Sequence, residues 1–180
     1  MRFKITSFFL IGASLLLPLC ANAADTAAAA RTSMARAMSS APASVTAKAT
    51  FIDMDAKGNV AVLKRGTNGF TCYGGHKGVP TDDPWCADAA GLQWAQDWMA
   101  HKTRPTNTAP GLIYMLAGAS DWSASNPWAT KGTMIHETAH YMIMWPYPKS
   151  SGLETNFKNT GTWLMWAGTP YAHLMVQGKP

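Results

Sequence analysis

The sequence predicts an α+β fold: a single domain over 49–180 on a mainly antiparallel sheet, one capped amphipathic helix at about 88–101, and a peripheral helix near the N-terminus. Three observations lead there. Short β-favouring runs alternate with turns containing Gly, Pro and Asn from residue 49 onward. One stretch alone carries a sustained helical apolar line behind a capping residue. Only 14 % of the 180 residues are charged while eight are Trp, a composition that suits a compact aromatic interior.

In chain order, Met1 to Ala23 has the build of a secretory signal peptide, with Arg2 and Lys4, an apolar run from Ile5 to Leu19, and Ala21-Asn22-Ala23 as a small-residue cleavage site. Leu19 before Cys20 is too large for a lipoprotein signal, and no later apolar run approaches the length of a membrane span. The protein is therefore expected to be exported, periplasmic or secreted, with no integral membrane segment after cleavage. Residues 24–48, rich in Ala, Ser and Thr, predict a weak helix around Ala27 to Met38 that ends near Pro42.

Ala49 to Met54 and Val60 to Lys64 predict a hairpin with Gly58 near its turn. The glycines of 66–78 predict turns, since no G-K-[ST] ending is present to bind phosphate. Asp88 is the N-cap of the predicted helix, in which Leu92, Ala95 and Met99 form one apolar line and Trp94 and Trp98 its neighbour. Gly111 to Ala117 reads as a buried strand, and Ser120 to Gly132 as a long polar loop. Trp163 to Trp166 and Tyr171 to Val176 predict a last hairpin around Ala167-Gly168-Thr169-Pro170.

Cysteine and charge narrow the function. With Cys20 removed, Cys72 and Cys86 are the remaining thiols and predict a disulfide in an oxidising compartment. The net charge of +5 includes Arg2 and Lys4 and is otherwise scattered, which argues against a nucleic-acid partner. No G-x-S-x-G elbow and no paired carboxylates in a suitable context point to a hydrolase of those kinds.

His136-Glu137-Thr138-Ala139-His140 is an H-E-x-x-H pentad. On a helix the two imidazoles would share a face and hold Zn²⁺, with Glu137 as general base on the bound water. A third ligand would then come from His173 or Glu154, because the H-x-x-G-x-x-H extension is absent. The same region also reads as a strand, since Thr133, Ile135, Thr138, Tyr141, Ile143 and Trp145 are β-branched or aromatic at alternate or near-alternate positions. In a strand His136 and His140 would lie about 13 Å apart, too far for one ion.

A second metal alternative is copper, for which His140, Met142 and Met144 alternate on one strand and Tyr171, His173 and Met175 on another. Trp94, Trp98, Trp163 and Trp166 read as core, whereas Trp122 and Trp128 lie in the polar loop and could stack on a glycan or peptide.

Gly66-Thr67-Asn68-Gly69-Phe70-Thr71-Cys72, Asp83-Pro84-Trp85-Cys86-Ala87-Asp88, Tyr114-Met115-Leu116-Ala117-Gly118, Ser125-Asn126-Pro127 and Met165-Trp166-Ala167-Gly168-Thr169-Pro170-Tyr171-Ala172-His173-Leu174-Met175 together resemble a family of small exported bacterial proteins of unassigned function. The likeness covers most of the chain after about residue 50. His140 matches the family's pattern, whereas His136 and Glu137 stand outside it. The resulting expectation is an exported binding or envelope accessory protein for a small molecule, glycan or peptide. Its site would join the 120–132 loop, with Trp122, Asn126 and Trp128, to His140 and His173. The alternatives are a zinc hydrolase with Glu137 as base and His136, His140 and His173 as ligands, and a copper-binding His/Met protein.

Overall fold

The computed structural model describes residues 19–145, 152–156, 158 and 161–178. Among them the fold is mixed α and β, dominated by one large sheet that is antiparallel at all but one of its pairings. Most of the expected signal peptide lies outside the described residues. Its last five residues open α1 (Leu19–Met38), and cleavage after Ala23 would leave the buried Ser33 and Ala37 of that helix in place. No described helix is long and apolar enough to cross a membrane.

After α1 and a single turn, α2 (Ala43–Thr46), the hairpin of β1 (Thr50–Met54) and β2 (Val60–Lys64) forms as its turn chemistry predicts. Gly58 takes φ +80°, and the Asp55 carboxylate accepts from the Lys57 and Asn59 amides inside the turn. Then come β3 (Thr71–Tyr73), β4 (Trp85–Ala87), α3 (Ala89–Met99), β5 (Gly111–Met115), β6 (Ala119–Asp121), β7 (Ile135–Glu137), β8 (His140–Met144), β9 (Thr162–Met165) and β10 (His173–Gln177). The main sheet runs β2-β1-β3-β4-β5-β8-β10-β9, while β6 and β7 form a separate two-stranded ribbon. Only β1 and β3 pair in parallel.

Alternation along the strands divides the interior in two. One face carries Phe51, Cys72, Cys86 and Tyr114 and receives α1 through Met34, Ala37 and the following Ala41. Cys72 and Cys86 stand opposite each other on β3 and β4 and are joined as the expected disulfide. The other face carries Ala87, Ile113, Met142, Met144, Met175, Trp163 and Met165 and receives Trp94 and Ala95 of α3. Asp88 caps α3 by accepting from the Gly91 amide at 2.7 Å.

Asp97 fastens the far end of α3. Burial alone would raise its pKa, but bonds from Lys102, Thr106 and Gln93 outweigh that and hold it down at about 2.

Two expectations change. The N-terminal helix is not peripheral, because its small side chains allow close approach to the sheet: at Gly74 even a Cβ would collide with Ser33. Ser120 and Asp121 belong to a strand, not to the loop that follows them.

Candidate functional site

The H-E-x-x-H pentad is not helical. Its first two residues end β7, its last begins β8, and Thr138 and Ala139 carry the chain from the ribbon to the main sheet. His136 is exposed while His140 is fully buried. The helical zinc arrangement therefore does not form, and among the described residues no three of His, Cys, Asp and Glu converge on a point a metal could occupy. Glu154 is also unsuited as a third ligand, since its exposed carboxylate accepts from the Thr155 and Asn156 amides of its own loop.

β8 and β10 do pair, and their alternating residues meet on one face. Met142 lies opposite Met175, so a local two-fold through that pair exchanges His140 with His173. The flanking sequences follow the same symmetry: Thr138-Ala139-His140-Tyr141-Met142 and Tyr171-Ala172-His173-Leu174-Met175 are two copies of an Ala-His-x-Met unit. Each imidazole bonds the carbonyl two residues before it, His140 Nδ1 to Thr138 O at 2.7 Å and His173 Nδ1 to Tyr171 O at 3.0 Å. A carbonyl only accepts, so each Nδ1 donates, and in the neutral ring each Nε2 is left as a bare lone pair. Both Nε2 atoms are buried without a hydrogen-bond partner. Burial lowers the pKa of both histidines, that of His173 to about 4 with a further push from His140.

Beyond this shared geometry the surroundings differ. His173 stands edge-on to the indoles of Trp94 and Trp166, at 5.2 and 4.9 Å between ring centroids. His140 Nε2 faces Glu137 Oε2 at 3.7 Å, a close approach that falls short of a hydrogen bond. Glu137 lies on the same face of the ribbon as Asp121, the two residues being diagonal across β6 and β7. Burial, then the charges of Asp121 and Asp83, push the Glu137 carboxyl up to about 8. Burial raises Asp121 to about 6 against bonds from the Ser123 and Trp122 amides. Asp83 is fixed by the amide and hydroxyl of Ser120 at 2.7 and 3.0 Å.

Of these groups Asp83, Asp121, Glu137 and His173, but not His140, line a cavity of about 170 Å³ between the sheet and α3. Its walls are aromatic and thioether-rich: Trp94 and Trp98 from α3, Trp85, Met142, Met144 and Met165 from the sheet, and Trp166 just beyond β9. Asp121 and Glu137 close it from the ribbon, and His173 presents an edge to it. Thr81 and Met99, the exposed residues of the lining, mark its mouth. On the outer side of the ribbon an open depression is lined by Arg36, His136, Asp83 and Glu137, so Glu137 belongs to a partition between two spaces.

Trp122, Asn126 and Trp128 do not line the cavity. Their loop braces it from outside: Trp98 Nε1 donates to Pro127 O at 2.8 Å, and Trp166 Nε1 donates to Ser123 O at 3.0 Å. Asn126 holds the loop's turn by accepting from the Trp128 amide, and Trp128 stacks on His101 at 5.5 Å. Asp83, Asp121 and Trp94 are site residues that sequence reasoning did not place there. The duplicated Ala-His-x-Met unit was the available signal, because it marks two strands with the same local geometry.

No family model, curated protein or solved structure matches this chain.

Proposed function

We propose that this chain is an exported binding protein that takes a small, largely apolar molecule into the cavity beneath α3. The observation that carries the reading is a space of about 170 Å³ whose walls are largely indole and thioether and whose polar groups, Asp82, Asp83, Asp121, Glu137 and His173 among them, gather on one part of the lining. A dry cavity of roughly 150 Å³ holds a benzene-sized molecule, so this one suits a single ring with a short substituent. Export is supported by the signal-like N-terminus and the disulfide, and agrees with the resemblance to small exported bacterial proteins. The test is a thermal-unfolding and Trp-fluorescence screen of small aromatic compounds against the purified protein and Ala119→Leu, which fills the cavity. Binders should raise the Tm and perturb fluorescence in the parent, and both effects should vanish in the folded variant. Equal responses in the two proteins would overturn the reading.

A second reading is favoured by the pairing of β8 with β10: Cu(I) held by His173 Nε2 and cavity thioethers. Met165 lies directly across from His173, and Met144 lines the same cavity. Imidazole and thioether suit Cu(I), and an Nδ1 fixed by a carbonyl is the usual posture of a ligating histidine. Competition with a chromophoric Cu(I) chelator should show one equivalent bound, weakened at least tenfold by Met165→Leu. An unchanged chelator signal would remove this reading.

A further inference from the structure

We propose that the molecule taken into the cavity is a small protonated primary amine, its ammonium group bonded to Glu137 and its apolar part set against the indoles of Trp94, Trp98 and Trp166. This rests on the reading of the cavity as a binding site and adds the chemistry of the ligand.

The argument begins with unmatched acceptors. Three of the described lining residues carry a buried polar atom without a partner: Glu137 Oε1 and His173 Nε2, which accept, and Trp94 Nε1, which donates. His173 Nε2 accepts because its Nδ1 is committed to Tyr171 O, and Glu137 Oε1 accepts whenever the carboxyl is ionised. An ammonium group brings three N–H donors, whereas an alcohol brings one and a quaternary ammonium none.

Charge points the same way. Asp82, Asp83, Asp121 and Glu137 all line the cavity, and among the described residues no Lys or Arg does, although the chain as a whole carries a net charge of +5. Asp82 is paired with His76 at 2.6 Å, and Asp83 and Asp121 accept from Ser120 and Ser123. Glu137 is left without a donor, and its side chain is only 5 % exposed. The walls add to the match, because indole faces attract cations and four indoles line this space.

The groups facing Glu137 are Asp83, Asp121 and His140, with His173 across the cavity and Arg36 and His136 around the outer depression; burial keeps the two inner imidazoles neutral, Arg36 is turned to Gly74 O, and burial with Asp121 and Asp83 still raises the Glu137 carboxyl. The empty site therefore keeps a proton on Glu137. On binding, the ammonium replaces that proton: the carboxyl O–H bond breaks, the proton leaves to solvent, and an N–H to carboxylate hydrogen bond forms. Binding should release up to one proton at pH 7 and tighten as the pH rises toward 8.

The experiment is titration calorimetry on the full chain as exported, at pH 7 in two buffers of different ionisation enthalpy. The probes are benzylamine, benzyl alcohol as its uncharged counterpart, and benzyltrimethylammonium as a cation without N–H groups. Benzylamine should bind at least tenfold tighter than either of the others and release a proton. Glu137→Gln should abolish the preference and the proton release while benzyl alcohol still binds. Asp121→Asn should weaken benzylamine by a smaller factor, which keeps the test open if Glu137→Gln does not fold. If benzyl alcohol matches benzylamine, the amine assignment falls and the apolar binding site stands. If none of the three binds, the binding-site reading falls with it.

Discussion

His140 and His173 occupy equivalent positions in two copies of one short unit, make the same bond to their own backbone, and end in different chemistry. His140 Nε2 looks at a carboxyl group 3.7 Å away, and His173 Nε2 looks past two indoles into a cavity. The local sequence sets the tautomer in both cases. The neighbours decide what the free lone pair is for: near His140 it faces an acid that keeps its proton, and near His173 it is open to a ligand. A histidine's role in this fold is therefore read from the elements packed on it and not from the unit that carries it.

The largest effect that separates the two ends is expected from pH. Glu137, beside His140, has its carboxyl raised from 4.5 to about 8, so its contribution to stability is complete below pH 4.5 and is lost as the pH rises through 8. Asp121 acts in the same sense between 3.8 and about 6, which leaves the interval above pH 6 to Glu137. Denaturant unfolding at pH 6 and pH 8.5 should show a loss on the order of 3 kcal/mol. Glu137→Gln should show little of it.

The His173 end has the opposite sign. Its pKa is lowered from 6.5 to about 4, so its contribution is complete above pH 6.5 and is lost as the pH falls through 4. The loss should be on the order of 3 kcal/mol, with His140 adding in the same direction. His173→Phe keeps a ring between Trp94 and Trp166 and cannot be protonated. It should flatten the acid limb measured by unfolding between pH 7 and 4, and an unchanged limb would assign the acid sensitivity to His140.

The smallest effect lies at the pivot. Met142→Leu and Met175→Leu conserve volume at two buried positions and should each cost less than about 1.5 kcal/mol in denaturant unfolding. If one of them costs several times more than the other, the two halves differ in packing as well as in chemistry.

Much of this architecture is legible in the sequence wherever the signal is local. The 50–64 hairpin, the 162–177 hairpin and the Asp88-capped helix each follow from turn residues or periodicity within a short window. The ribbon is not legible, because Ala119-Ser120-Asp121 and Ile135-His136-Glu137 are too short to show alternation. Since the ribbon supplies Asp121 and Glu137, the two lining carboxyl groups that burial raises, much of the acid side of the site was out of reach as well. The pentad misleads for a related reason: its zinc reading needs a helix, while the β-branched and aromatic residues around it favour the strands that form. The Ala and Ser residues of α1 suggest a bystander, yet small side chains are what let that helix lie close against the sheet.

The disulfide reaches further than the two strands it joins. Cys72 and Cys86 stand at the ends of the segment that carries Thr81 to the mouth of the cavity and Asp82 and Asp83 to its wall. The disulfide ties the two roots of that segment, while Arg36 on Gly74 O, His76 on Asp82 and Ser120 on Thr81 and Asp83 hold its length. Closing a loop of this size is worth about 3 kcal/mol in chain entropy. The bond that joins two strands thus also adds a covalent tie at the roots of the cavity's entrance, beside the hydrogen bonds that hold its tip.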